Sequence, residues 1–314
     1  MRVVSAAEID RRLDFPALIA ALARAFASGY KAPQRHHHEI ARADAAHATQ
    51  LLMPAWTEDA PGEGAFLGVK IVNVFPDNGA RGLPAVNGVY VLQNGATGEP
   101  LAVMDGARLT VWRTAAASAL AASRLARADA SRLCMVGAGA LAPFLIRAHA
   151  AVRPTRRVTL WNRRRAASEA LAADLAGFEV RIEDDIQRAV SEADVISCAT
   201  LSRTPLVEGR WLTGGQHLDL VGAFNLQMRE ADDEALRRAR VYIDTPAALT
   251  EGGDVALALA AGAIDRAHVR GDLAALCRDG AGRGAADAIT AFKSVGAAIE
   301  DLAAAMLVWS RLTA

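Results

Sequence analysis

Two short stretches of this chain have the residue types and spacing to hold a phosphorylated ligand. Residues 137–142 read Gly-Ala-Gly-Ala-Leu-Ala, directly after the apolar run Leu133-Cys134-Met135-Val136 and directly before a helical segment. This is the G-x-G-x-x-A form of the dinucleotide fingerprint in the context it demands. Gly137 permits a tight turn, Gly139 lets the backbone approach a pyrophosphate, and Ala142 still allows close helix–strand packing. With Ala140 and Leu141 they form a cradle ahead of a helix N-terminus, whose free N–H groups and positive dipole end suit phosphate. The second stretch is the apolar run Val158-Thr159-Leu160-Trp161, which ends at Asn162 and is followed at once by Arg163, Arg164 and Arg165. NAD-binding folds carry an acid about 20 residues past the glycines, where it binds the adenosine ribose. An acid would repel a 2′-phosphate, whereas Asn162, Arg163 and Arg164 suit one, because guanidinium pairs bidentately with phosphate. The spacing therefore predicts NADP(H) in preference to NAD(H), with NAD(H) as the alternative cofactor. The competing reading is a solvated, merely basic helix start.

Lysine is rare here. Only Lys31, Lys70 and Lys293 interrupt a basic complement of 35 residues that is otherwise arginine. Lys70 sits in the apolar run "GVKIVNVF", where a buried ammonium is costly unless it meets an anion. The consecutive His36, His37 and His38 point to different sides of a strand or loop, and no cysteine or carboxylate cluster of zinc-like spacing accompanies them, so no metal is expected. One of the three lining a substrate cleft is the better reading. Cys134, Cys198 and Cys277 are odd in number and scattered, which reads as reduced packing residues of a cytoplasmic protein.

The surrounding elements read as two domains, which suits 314 residues. Residues 8–29 have the apolar spacing of one amphipathic helix. From about 50 to 105, short apolar runs are broken by Asn78-Gly79, Asn87-Gly88, Asn94-Gly95 and Thr97-Gly98, the pattern of an antiparallel sheet with tight turns. An alanine-rich helix follows over 110–128. Strand and helix patterns then alternate: "RLCMVG", "RVTLWN", "FEVRIE", "DVISCAT" and "HLDLVGAF" are strands, and "ARVYIDT" closes the series. That alternation predicts an α/β fold with a doubly wound parallel sheet of Rossmann type. Residues 297–312 read as a long C-terminal helix that packs back on the first domain. Hydrophobic residues make up 52% of the chain, and 35 basic residues balance 35 acidic ones. This is a globular composition with no support for nucleic acid or an anionic membrane as partner. No run of about 18 apolar residues suggests a transmembrane helix. Glu8 and Asp10 come too early for a signal peptide.

Several longer segments together resemble the ornithine cyclodeaminase/mu-crystallin family. They are "LLMPAW", "VKIVNVFPDN", "GLPAVNGVYVL", "TGEPLAVMDGARLTVWRTAAASALAA", "GAGALAPF", "EADVISCAT", "EGGDVALAL" and "ITAFKSVGAAIEDLAAA". The resemblance implies a Rossmann NAD(P)-binding domain over 116–296. It also implies an α+β substrate-binding and dimerisation domain with an antiparallel-rich sheet, built from 1–115 with 297–314. A homodimer and a small cyclic imino acid or amino acid as ligand are implied as well. The family's carboxylate-binding residues match Arg35, Lys70 and Arg113, and a fork-shaped guanidinium suits a carboxylate. The other reading is that Lys70 snorkels and Arg113 caps an internal acid. By resemblance, Thr114, Thr200, Ser294 and Val295 line the cofactor or substrate.

One segment departs from the family. Where cyclodeaminases and the related alanine dehydrogenase carry a G-A-D-x-P-G-K-like sequence, "GAFNLQM" puts Phe224 at the aspartate position and Met228 at the lysine position. A phenylalanine cannot accept a proton, and deaminating ornithine needs a base there. It makes the pocket wall apolar instead. "GAF…MRE.DD" is similar to the branch that reduces Δ1-pyrroline-2-carboxylate and Δ1-piperideine-2-carboxylate to proline and pipecolate. That is the expected activity, and the imine nitrogen needs a proton from bulk solvent, a bound water or Lys70, whose pKa should be lowered beside two arginines. The alternatives are ornithine cyclodeamination, alanine-dehydrogenase-like chemistry, or a non-catalytic NADPH-binding protein of mu-crystallin type.

Overall fold

The computed structural model describes residues 1–28, 30–58, 64–280 and 282–313. The chain divides into two compact units, 1–114 with 297–314, and 115–296.

The first unit opens with β1 (Arg2–Val4), α1 (Ala6–Arg12) and α2 (Phe15–Ser28). The single helix expected over 8–29 is thus two. Ser5 and Glu8 form a capping box that starts α1, and Leu13 leaves it with extended backbone. The Asp14 carboxylate then accepts the Ala17 N–H at 2.9 Å, and the Pro16 ring suits a first helical turn, so α2 begins anew. Strands β2 (His36–Ile40), β3 (Ala48–Trp56), β4 (Phe66–Val74), β5 (Val86–Asn94) and β6 (Pro100–Asp105) follow, then α3 (Gly106–Leu125). The six strands form one sheet in the order β1-β6-β5-β4-β3-β2. All neighbours are antiparallel except β1 and β6.

Asn94-Gly95 and Thr97-Gly98 make the expected turn, with Asn94 Oδ1 accepting from Ala96 and Thr97. Asn87-Gly88 does not turn. It lies inside β5, opposite Asn73 and Val72, where a side chain at residue 88 would meet the Ile71 carbonyl at 2.5 Å. Close backbone approach, not a reversal, explains that glycine.

Period-two alternation fixes which face of this sheet is buried. Register aligns Lys70 with Tyr90 and Met104, and Gly68 with Leu92 and Ala102, and all six are on the buried face.

The second unit holds β7 (Arg132–Val136), α4 (Ala142–Val152), β8 (Arg157–Trp161), α5 (Arg165–Ala173), β9 (Glu179–Ile182), α6 (Ile186–Ser191), β10 (Val195–Cys198) and β11 (His217–Leu220). Then come α7 (Asp233–Arg238), β12 (Arg240–Ile243), α8 (Gly253–Ala260), β13 (Val269–Asp272), α9 (Leu273–Arg278) and β14 (Thr290–Lys293). Its eight strands are all parallel, in the order β13-β12-β14-β11-β10-β7-β8-β9. The segment "ARVYIDT" does not close the series. Two more strands follow it, and β14 inserts between β11 and β12. The sequence of β14, Thr-Ala-Phe-Lys, is short and ends in a cation, so it carries little strand signal. Strand order reverses between β7 and β10, which makes a topological switch point. Below it, Asp219 on β11 is fully buried and accepts hydrogen bonds from Ser118 (2.9 Å) and Ser197 (2.7 Å), with His149 Nε2 at 3.2 Å. This ties α3 and α4 to the sheet.

The last helix, α10 (Ala298–Thr313), belongs to the first unit and packs on α2 and against β3, β4 and β5. Its buried face is mostly alanine and leucine, but Glu300 and Asp301 in its first turn are also fully buried. Among the described residues, no helix is long and apolar enough to cross a membrane.

A test of this packing is Gly68→Ala. The added Cβ would lie 2.3 Å from Tyr90 Oη and 2.7 Å from Cζ, and Tyr90 is wholly buried. Overpacking of this kind costs about 1–3 kcal/mol. The expected result is a lower urea midpoint, and an unchanged one would mean the ring can move aside.

Candidate active site

The cradle sits at the switch point. Gly137 follows β7, donates its N–H to Trp161 O at 2.9 Å, and has φ +109°. A Cβ there would lie 2.7 Å from the Ala199 carbonyl, so the turn demands glycine. Gly139 is the opposite case: it is exposed, and nothing lies within 4 Å of where its Cβ would point. That open space lets a diphosphate approach the backbone. Ala140 is exposed and Leu141 half-buried, and Leu141 caps α4 without offering a side-chain acceptor to the first-turn N–H groups. Ala142 is fully buried, as close packing requires. The cradle therefore fits a dinucleotide.

At the end of β8, Asn162 donates to the Arg164 carbonyl at 2.9 Å, which shapes the turn. Arg165 pairs with Glu169 at 3.1 Å and Asp184 at 2.5 Å. Arg163 and Arg164 are exposed and make no ion pair among the described residues. The three arginines expected from the sequence thus divide into one engaged and two available to an anion.

The remaining expected residues of the second unit are held from behind by acids that the sequence did not single out. Thr200, just past β10, donates from its N and its hydroxyl to Glu230 Oε1 at 2.6 and 2.8 Å, while Gly222 N donates to Oε2 at 2.7 Å. Asp254 accepts the Glu230 and Ala231 N–H groups and lies 3.0 Å from Lys293 Nζ. Lys293, left without a role by the sequence, therefore neutralises a buried acid. Ser294 N donates to Leu220 O at 3.2 Å, and Asp244 Oδ2 accepts the N–H groups of Val295 and Gly296 at 2.7 and 2.6 Å. Phe224, in the loop after β11, is 40% exposed, and its N–H donates to Gly222 O. Burial and the nearby Asp254 push the Glu230 carboxyl up, to about 7, against the pull of Lys293 and the Thr200 donors.

In the first unit, Lys70 and Arg113 come together around two carboxylates. Lys70 Nζ lies 2.7 Å from Asp301 Oδ2. Arg113 donates from Nε to Asp301 Oδ1 at 3.0 Å and from Nη1 to Glu300 Oε2 at 2.6 Å. Lys70 does not snorkel, being 2% exposed, and Arg113 does meet internal acids. Burial first, and then Arg113, lower the Lys70 pKa to about 8 although Asp301 and Glu300 raise it. The direction is the one expected, but the leading cause is desolvation rather than neighbouring arginines. Thr114 is buried next to Arg113 on α3, and Arg35 is half-exposed in the stretch before β2. His36, His37 and His38 lie exposed on β2, and no group of three His, Cys, Asp or Glu among the described residues is arranged to hold a metal. Cys134 and Cys198 are buried free thiols, both raised by desolvation, Cys134 to about 12.

A doubly wound parallel sheet with an open phosphate cradle at its switch point, in a chain that also carries a buried cation pair, defines a Rossmann-type oxidoreductase. The chain belongs to the ornithine cyclodeaminase/mu-crystallin family, whose pattern matches residues 1–314. It is 43% identical over 266 residues to the protein SAR DEFICIENT 4 of Arabidopsis thaliana, covering 82% of this chain and 81% of that one. To a Δ1-pyrroline-2-carboxylate reductase of Colwellia psychrerythraea it is 36% identical over 320 residues, covering 99% of both. Among solved structures, Thermococcus litoralis Δ1-pyrroline-2-carboxylate reductase in complex with NADH and L-proline superposes with a TM-score of 0.93, at 30% identity, over 100% of this chain and 98% of that one.

The Glu230 clamp makes a pH prediction. Its raised pKa means that the folded chain holds a proton there that the unfolded chain, with an ordinary value of 4.5, has released. Between about 4.5 and about 7 this group therefore lowers stability as pH rises. In urea unfolding at pH 5 and pH 7.5, Glu230→Gln is expected to lose less stability on going up in pH than the wild type does. Equal losses in the two proteins would show that Glu230 is ionised throughout.

Proposed function

We propose that this chain is an imine reductase, which uses a reduced nicotinamide dinucleotide to convert Δ1-pyrroline-2-carboxylate to proline and Δ1-piperideine-2-carboxylate to pipecolate. The single observation that carries this reading is the buried group of Lys70, Arg113, Glu300 and Asp301. Two cations and two anions there sum to zero charge. A cyclic imino acid brings one carboxylate, which the two cations suit, and a neutral imine nitrogen that can accept a proton. Arg113 and Lys70 are the residues that would orient its carboxylate, with Arg35 as a further cation. Phe224 supports reduction over deamination, because no carboxylate at that position can deprotonate an amine or activate water.

Gly137, Gly139, Ala140 and Leu141 would hold the dinucleotide's phosphates, and Thr200 and Ser294, just past strands of the same sheet, would flank its nicotinamide. The bound nicotinamide supplies the hydride that the imine carbon accepts. The protein then has two tasks: to orient the acid and to provide one proton for nitrogen. Lys70 Nζ, lowered to about 8, holds a proton at neutral pH that it can release. Arg163 and Arg164, exposed and without acid partners among the described residues, support NADPH as the preferred reductant, since two available guanidinium groups match a 2′-phosphate.

Two experiments test this reading. Following NADPH oxidation with pyrroline-2-carboxylate, piperideine-2-carboxylate, pyruvate plus ammonia, and ornithine side by side should give turnover with the two cyclic imines. Ammonia release from ornithine without imine reduction would overturn it. The cofactor assignment is read separately: changing Arg163 and Arg164 together to alanine should lower kcat/KM for NADPH by about tenfold or more and leave NADH within about threefold, given about 1.4 kcal/mol per tenfold. A wild-type preference for NADH would end the NADPH assignment alone.

A further inference from the structure

A proton donor needs a fixed position and a maintained charge, and for Lys70 both trace to one side chain on α10. We infer that Asp301 is the positioning residue of the reduction, bridging Lys70 and Arg113 through its two carboxylate oxygens and holding Lys70 as the ammonium that gives its proton to the imine nitrogen. This inference rests on the imine-reductase reading above.

The geometry is that of a bridge. Asp301 Oδ2 lies 2.7 Å from Lys70 Nζ and Oδ1 lies 3.0 Å from Arg113 Nε, so one planar carboxylate sets the spacing of two cations that come from β4 and α3. Glu300 approaches Arg113 from its other side, at Nη1. Both acids occupy the first turn of α10, where the positive end of the helix dipole favours anions. Neither has any exposure, and a carboxylate in that setting is retained only where cations meet it. Among the described residues, the elements around Lys70 present few charged or polar groups to it. From α3 come Arg113 and the Thr110 hydroxyl, the latter 3.4 Å from Nζ. From α10 come Asp301 and Glu300. From β5 comes Tyr90, the register partner of Lys70, whose phenol stays neutral because burial and Asp301 both push its pKa up. Desolvation and Arg113 favour the neutral amine, and the two acids favour the ammonium. Asp301 exerts the larger influence of the two, by charge and by direct contact.

The proton transfer balances. The Nζ–H bond breaks as the imine N–H forms, the C=N electron pair passes to nitrogen as carbon accepts hydride from the reduced dinucleotide, and the neutral amine of Lys70 regains a proton from water.

The experiment is the pH dependence of kcat for wild type and Asp301→Asn, with reduced dinucleotide and pyrroline-2-carboxylate both saturating. Asparagine keeps the shape and one acceptor oxygen but loses the charge. Wild-type kcat should fall above about pH 8, where Lys70 loses its proton. In Asp301→Asn that fall should begin about one pH unit lower or more, which is about tenfold in the ammonium population at a given pH. At the acid end, kcat of the variant should level off at a plateau of its own, so that the position of the limb is read independently of its height. A purely structural role would lower kcat equally at every pH, and that result overturns the inference. Glu300→Gln provides a second readout if Asp301→Asn does not fold. It should shift the same limb in the same direction by less, and an unmoved limb again overturns the inference. If the wild type itself does not oxidise the dinucleotide with the imine, the reductase reading fails. If the wild type is active and neither profile shifts, only the role of Asp301 fails.

Discussion

The first unit depends on taking four charges out of water at once. Lys70, Arg113, Glu300 and Asp301 are each nearly or wholly buried, and none could be so alone. Breaking one side of such an arrangement leaves an uncompensated charge, at a cost of about 3–5 kcal/mol. The four come from three distant pieces of chain, β4, α3 and α10. Their pairing therefore fixes where the last helix must lie on a sheet formed from the first third of the sequence. Alanines around the two acids let α10 approach closely enough for the carboxylates to reach. The same four residues are those whose chemistry suits an amino-acid-like ligand, so the interior that holds the unit together is also the candidate substrate grip.

The second unit solves a similar problem with acids placed behind the residues proposed to flank the cofactor. Glu230 and Asp244 accept backbone N–H groups just past β10, β11 and β14, and Asp254 accepts those of Glu230 and Ala231, where loops would otherwise be loosely held. Open α/β sheets bind their ligands at this edge. Rigid loops there keep Thr200, Ser294 and Val295 in place, while the cradle at 137–142 stays open enough for a diphosphate.

The sequence makes the local parts of this arrangement legible and leaves the long-range parts hidden. The glycine cradle could be read because strand, turn and helix are contiguous there. Lys70 could be read as buried because its neighbours are apolar at alternate positions. Its partner could not, since Arg113 and Asp301 lie 188 residues apart and Lys70 further still. In "AAIEDLAAA" the acids look like ordinary helix-surface charges, and only the unbroken alanine and leucine around them hints otherwise. Glu230 follows the same rule, being one acid in the charged run "MREADDE" whose burial depends on where β10 and α8 come to rest. The missed strand β14 and the split of the first helix have local causes that periodicity overlooks: a cationic strand end and a capping aspartate at residue 14.

The order of the parallel sheet has a consequence for how the polypeptide is made. Strand β14 is the last of the eight in the chain, yet it stands between β11 and β12. Until residues 290–293 leave the ribosome, β11 and β12 share no neighbour, and each carries an unpaired edge. A nascent chain of even 285 residues thus holds a sheet with a gap in its middle, and α10, with both acids that Lys70 and Arg113 require, emerges later still. Neither unit can therefore be completed before residues 290–301 have been made.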